Sequence, residues 1–131
     1  MPNIDLLAVM KSLYDRQQTA VVVPYELTSI KSGNPREHEC HNNADRYVLE
    51  NPGCKSIRGW LVFDYTMGAL IGWRPFFRFT AHSVVERADG RLFDPTPSKA
   101  SQRYPFLRHE GPESEFEAIV AAGYTNVEYP V

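Results

Sequence analysis

Nothing in this chain of 131 residues is apolar for long enough to cross a membrane, since a helical span needs about 20 consecutive apolar residues. Cysteine is scarce. Cys40 and Cys54 are the only two, too few for a disulfide framework, and in a reducing compartment both are expected as thiols. An excess of one charge is missing as well. Lys and Arg number 14 and Asp and Glu 16, for a formal net charge of -2. With no long basic run, the chain gives no support for a dedicated nucleic-acid binder. The start, Met1-Pro2-Asn3-Ile4-Asp5, lacks the basic opening and apolar core of a signal peptide. A cytoplasmic location is therefore expected, and export that reads no N-terminal signal is compatible with the same residues. Internal repeats, low-complexity segments and linkers are absent, so residues 1–131 are expected to form a single domain with one sizeable core.

What is present is apolar and aromatic. Hydrophobic residues make up 43% of the chain, which excludes a disordered chain. Residues 3–17 read as an amphipathic helix, with Asn3 as its cap and Ile4, Leu7, Met10, Leu13 and Tyr14 at helical spacing. Ala20 to Pro24 reads as a short buried strand. A polar loop over 25–39 follows, and long loops in compact domains are often functional. Cys40, Ala44, Tyr47, Val48 and Asn51 then share a helical face that Asn51-Pro52-Gly53 stops. Ser56–Tyr65 and Phe76–Arg87 read as strands, with Gly59 allowing close approach of another backbone. Residues 98–102 read as a loop, Tyr104–Leu107 as an edge strand, and 112–122 as a helix stopped by Gly123. The tail after it carries no pattern. Helix followed by strands on short links implies an α+β layout, an antiparallel sheet with a helix packed on it.

The most informative stretch runs from His82 to Asp94. Val84 and Val85 lie in one arm of a hairpin, Leu92 and Phe93 in the other, and Asp89-Gly90 supplies the turn. If Ala88-Asp89-Gly90 is a three-residue loop with Gly90 left-handed, Arg87 faces Arg91 and Val84 faces Asp94. His82 is then diagonal to Asp94 on one face, within roughly 7–8 Å at the backbone. A two-residue loop shifts the register by one and puts the two on opposite faces.

Cys40 opens a helix, where the free N–H groups and the macrodipole favour a thiolate and can receive an oxyanion. A cysteine, a histidine and an aspartate in this order are a nucleophile, a base and an orienting acceptor. The blocks resemble those of the transglutaminase-like branch of the papain-like cysteine enzymes. That family follows a helix-opening cysteine with a strand written G-I-P-A-R-x-V-x-G-[YW], loosely echoed by Gly53 to Trp60. It then has H-A-W-V-E-V…G…D-P-T, matched more closely by His82-Ser83-Val84-Val85-Glu86, Gly90 and Asp94-Pro95-Thr96. The matching region spans roughly 38–97. His41 stands where an aromatic usually follows the nucleophile, and Val84 replaces the tryptophan.

The resemblance implies a papain-like core with Cys40 as nucleophile, His82 as base and acid, and Asp94 orienting His82. It implies a small hydrolase acting on amides of a protein or peptide substrate: glutamine deamidation, peptide or isopeptide hydrolysis, or acyl transfer, through a thioester and without a cofactor or metal. Tyr25 and Asn34 are candidate second oxyanion donors. Two rival readings accompany it. One is a zinc site drawn from His38, Cys40, His41 and Cys54, whose spacing is poor. The other is a catalytically inactive binding module that uses Trp60, Trp73, Phe76 and Phe77 as a surface. Cys54 is expected to be structural, Arg46 and Arg58 to be solvated, and His109 to lie in a surface turn.

Overall fold

The computed structural model describes residues 4–131. The chain runs through α1 (Leu6–Arg16), α2 (Cys40–Glu50), β1 (Lys55–Asp64), β2 (Phe76–Glu86) and β3 (Leu92–Phe93). It continues through α3 (Lys99–Arg103), β4 (Phe106–Arg108), α4 (Glu113–Ala121) and β5 (Asn126–Pro130). The strands make an antiparallel sheet in the order β3-β2-β1-β4, with β5 also paired to β2. The expected α+β arrangement is therefore present.

Strand alternation divides the side chains between two faces. On one, Met10 and Leu13 of α1 and Phe116 and Ile119 of α4 pack over Trp60, Val62, Phe77 and Phe79. Further along it Ala44 of α2 packs against Val85 and Phe93. Packing outweighs capping here. The Asp5 side chain accepts from Ala8 N–H at the start of α1, a cap that contributes about 1 kcal/mol. Leu13 alone, 1% exposed, contributes about 1.5–3 kcal/mol. Asn3, expected to cap this helix, lies outside the described residues.

The other face holds Val23, Leu61, Val84 and Phe106. Residues 20–26 cross it. Val21 bridges Phe106, and Tyr25 bridges Asp94. The expected buried strand at Ala20–Pro24 is thus a crossing segment with only isolated bridges. Val21 and Val22 are exposed and Val23 is buried; three successive valines carry no alternation that shows this.

The hairpin register is the one the three-residue loop requires. Val85 pairs with Phe93 and Glu86 with Leu92. Arg87 N–H donates to Arg91 O at 2.9 Å, and Gly90 takes φ 87°. Two expectations fail. The tail contains β5, which pairs with Phe76 to Thr80 of β2. Residues 98–102 are not a loop but part of α3, where Ser98 Oγ accepts from Ser101 N–H.

The register of β1 matters for the site. Gly59 lies opposite His82 on β2 and opposite Arg108 on β4. A Cβ there would collide with Leu107 O and the Phe106 ring. Gly59→Ala is therefore expected to push β4 away and destabilise the fold by about 1–3 kcal/mol, read as a lower urea midpoint; an unchanged midpoint would show that β4 gives way freely.

Candidate active site

The site forms where the edge of β2 is left open. β3 pairs with that edge at Val85 and Glu86, and β5 from Phe76 to Thr80. Between them, residues 82–84 have no strand partner on this edge, while β1 pairs with them on the other. The first turn of α2 lies against this gap, with Cys40 and His82 lining one cleft and His41 Nδ1 2.5 Å from Ser83 Oγ. Neighbouring strand residues point to opposite faces, so the helix start reaches around the edge to touch both.

Three local features bring Cys40 there. Glu39 N–H bonds Arg36 O at 3.3 Å, with His38 in the left-handed region at φ 67°. That turn delivers the chain into α2, whose first helical bond runs from Asn43 N–H to Glu39 O at 2.8 Å. The N–H groups of Cys40, His41 and Asn42 therefore have no carbonyl four residues back within the helix. Finally, Asn43 is fully buried and uses its whole amide. Its Nδ2 donates to Arg36 O and Thr96 Oγ1 at 2.7 and 3.0 Å, and its Oδ1 accepts from Arg36 N–H and Arg46. It ties the lead-in loop, the helix and the Asp94-Pro95-Thr96 turn together.

His82 Nε2 and Asp94 Oδ2 are 2.6 Å apart, and both residues are buried. Asp94 Oδ1 accepts from Thr96 N–H at 2.9 Å. The backbone of Asp94 is held by the crossing segment, through Pro24 O and Glu26 N–H at 2.8 and 3.1 Å. The Phe106 ring meets the imidazole edge-on, with centroids 6.3 Å apart. With Nε2 committed to the carboxylate, Nδ1 is the ring nitrogen left for the thiol.

Electrostatics follows from this placement. Burial pushes the Cys40 thiol up, but hydrogen bonds and charge from His41 and His82 outweigh it and lower it to about 6. Burial pushes His82 down, and Asp94 and Cys40 overcome that and raise it to about 9. A thiolate–imidazolium pair is thereby the favoured form at neutral pH. The pair opens on a cleft of about 330 Å³ whose walls include Leu61, Phe63, Thr80 and Val120.

The structure brings Cys40, His82 and Asp94 together, as the resemblance implies. Other candidates fall elsewhere. Tyr25 touches the site through its backbone bridge to Asp94. Asn34 is exposed. His38, Cys40 and His41 line the one cleft, but Cys54 packs beside Tyr47 and Val48. Among the described residues no group of three His, Cys, Asp or Glu is arranged to hold a metal. Trp60 and Phe77 are buried in the core, which removes them from any interaction surface. His109, expected in a surface turn, has a side chain only 3% exposed. It accepts from Trp60 Nε1–H at 3.3 Å and pairs with Glu115 at 2.8 Å.

Arg58, expected to be solvated, has an 11% exposed side chain held by Asp45 and Glu113 at 2.8 and 3.0 Å. It donates to Ser83 Oγ at 3.0 Å, and Ser83 Oγ is 2.5 Å from His41 Nδ1. The thiol thus has a second histidine beside it with its own polar chain behind. Sequence reasoning gave His41 a place only in the rival zinc site. Its one signal was a polar residue standing where an aromatic is usual. No family model, curated protein or solved structure matches this chain.

Two outcomes are expected. His41→Phe keeps an edge contact on Phe116 (5.6 Å between centroids) but removes a hydrogen bond to the thiol. The pH midpoint of Cys40 alkylation by iodoacetamide should rise above about 6; an unmoved midpoint would take His41 out of the network. Asn43→Leu leaves Thr96 Oγ1 and Arg36 without their partner and should cost at least about 2 kcal/mol of stability, measured by urea unfolding.

Proposed function

We propose that this protein is a small cysteine hydrolase of amide bonds, similar in its chemistry to the transglutaminase-like branch of the papain-like enzymes. The observation that carries this is the grouping of Cys40, His82 and Asp94, with the thiol sharing a cleft with an imidazole whose Nε2 is already 2.6 Å from a buried carboxylate. Each of the three groups has the partner its role requires.

The Cys40 thiolate attacks the carbonyl carbon of the amide. The oxyanion that forms lies toward the first turn of α2, whose N–H groups at Cys40 and His41 are donors aimed out of the helix. Collapse of this intermediate breaks the C–N bond. The proton on His82 Nδ1 passes to the departing nitrogen, so ammonia or an amine leaves and a thioester stays on Cys40. Water then attacks the thioester, His82 takes its proton, and the carboxylic acid departs as the thiol is restored. Asp94 holds the ring by Nε2 throughout and stabilises its charged form. An amine in place of water gives acyl transfer from the same thioester. Glutamine side chains and peptide bonds both fit this scheme as substrates carried on a protein or peptide.

The pH dependence follows in sign. The thiol, lowered to about 6, supplies the nucleophile above that pH. His82, raised to about 9, supplies the acid below that pH. The kcat/KM profile should be bell-shaped between these limits. The decisive experiment incubates a denatured, glutamine-rich protein such as casein with wild type and variants and follows it by mass spectrometry. A gain of about 1 Da per site marks deamidation and backbone fragments mark peptide hydrolysis. Cys40→Ala and His82→Ala should abolish either product, and Asp94→Asn should give a smaller defect. Full activity in Cys40→Ala would remove the mechanism. Slow, equal iodoacetamide alkylation of Cys40 and Cys54 in the wild type would favour the inactive binding module.

A further inference from the structure

The cleft beside Cys40 does not end at its own walls. Phe63, which lines it, stacks on Tyr65 with centroids 6.2 Å apart, and Tyr65 stacks on Phe76 at 4.9 Å. The Tyr104 ring lies 4.1 Å from that of Phe63. Tyr65 and Phe76 in turn border a second cavity of about 440 Å³ with Met67, Ile71 and Trp73. The two spaces lie along one sheet face. Residues 61, 63 and 65 of β1 and its extension alternate onto it, as do 76, 78, 80 and 82 of β2. His82 to Phe76 is six residues of strand, roughly 20 Å.

The far end of this track is unusually apolar for a surface. Met67, Leu70, Ile71 and Trp73 are 68–77% exposed, on the 3-10 turn Thr66–Ile71 and the residues after it. Scattered exposed apolar residues are ordinary, but a contiguous cluster marks a contact site. Two cations border it: Arg78 pairs with Glu128 at 3.0 Å and lies over the Tyr65 ring at 5.3 Å, and Arg74 lines the second cavity. The track therefore offers mainly rings and aliphatic carbon, with Arg74 at its far end.

We infer that this face is the substrate channel of the same site, and that it takes an extended peptide segment of apolar and aromatic side chains whose reacting amide reaches Cys40. The inference rests on Cys40 being the nucleophile. Three observations select a peptide. The track adjoins the cleft that holds the thiol through the stack of Phe63 on Tyr65, it is about six extended residues long, and its rings are interrupted by polar groups, the Tyr65 and Tyr104 hydroxyls and the Thr80 hydroxyl bonded to Asn126, which suits side chains spaced along a polar backbone. A uniform hydrocarbon chain would set carbon against these polar groups. The cluster at the tip then acts as the anchor for the end of the segment farthest from the chemistry.

The test compares alkylation of Cys40 by four electrophiles, read by intact-mass spectrometry as second-order rate constants. The probes are iodoacetamide, N-octyl iodoacetamide, an iodoacetyl-capped peptide of six apolar and aromatic residues, and one of six serines and glycines. The apolar peptide should react about tenfold faster than the polar one. That ratio should fall toward one in the Ile71→Ser/Trp73→Ser double variant, while the iodoacetamide rate stays at its wild-type value. Both residues are exposed, so folding is not at stake. Fast iodoacetamide with equal rates for the two peptides would overturn the channel and leave the nucleophile standing. A ratio the double variant does not change would overturn it too, as would an octyl probe that outpaces the apolar peptide. A dimer in light scattering that dissociates in the double variant would assign the tip to a second copy of the chain instead. A slow iodoacetamide reaction at Cys40 would instead remove the catalytic reading beneath it.

Discussion

A carboxylate with no solvent exposure is tolerated only when its charge is met within the protein, and Asp94 is such a group. Every oxygen and backbone atom of it has a partner: His82 Nε2, Thr96 N–H, Pro24 O and Glu26 N–H. These partners come from β2, from the turn after β3 and from the segment that crosses the sheet. The pair with His82 is therefore more than a contact between two side chains. Removing one partner of a buried pair costs about 3–5 kcal/mol because the other charge is left uncompensated. That cost fixes the hairpin register, and the register fixes which face the imidazole occupies. The Phe106 ring and the absence of a Cβ at Gly59 complete the enclosure on that side.

From that fixed ring the rest of the site is a matter of access. β2 has ten residues paired on its β1 side, but on its other side two short strands share it and leave a gap at residues 82–84. A helix start fits in such a gap better than a third strand would. It presents N–H groups rather than a ladder, and its first residues point outward around the edge. Asn43 then locks the helix to the Asp94-Pro95-Thr96 turn through Thr96 Oγ1. The thiol, the imidazole and the carboxylate thus come from three separate elements held by one buried amide and one buried ion pair.

Much of this was legible from the residues, and the division has a physical basis. The hairpin was readable because Asp89-Gly90 permits a left-handed turn residue and because a one-residue slip would have put His82 and Asp94 on opposite faces. Gly59 was readable because an isolated glycine in a strand signals close approach. What escaped were contacts between segments far apart in sequence. β5 follows a helix stop and its Asn126–Pro130 run contains a proline, so local propensity hid a strand that exists through its pairing with β2. The burial of Arg58 depends on Asp45 and Glu113 meeting it from two different helices. His41 looked like a departure from a pattern, and the partner that gives it a place, Ser83, is 42 positions away.

The two histidines differ in what stands behind them. Behind His82 is an anion, so its protonated form is stabilised and it can both take and give a proton. Behind His41 is a hydroxyl that already accepts from Arg58, so a cation sits one bond further back. The Ser83 hydroxyl, Arg58, Asp45 and Glu113 form a polar chain that fixes the His41 ring from behind. The two rings beside Cys40 are thus held by different means, one by a buried carboxylate that raises it and the other by a hydroxyl anchored to a guanidinium.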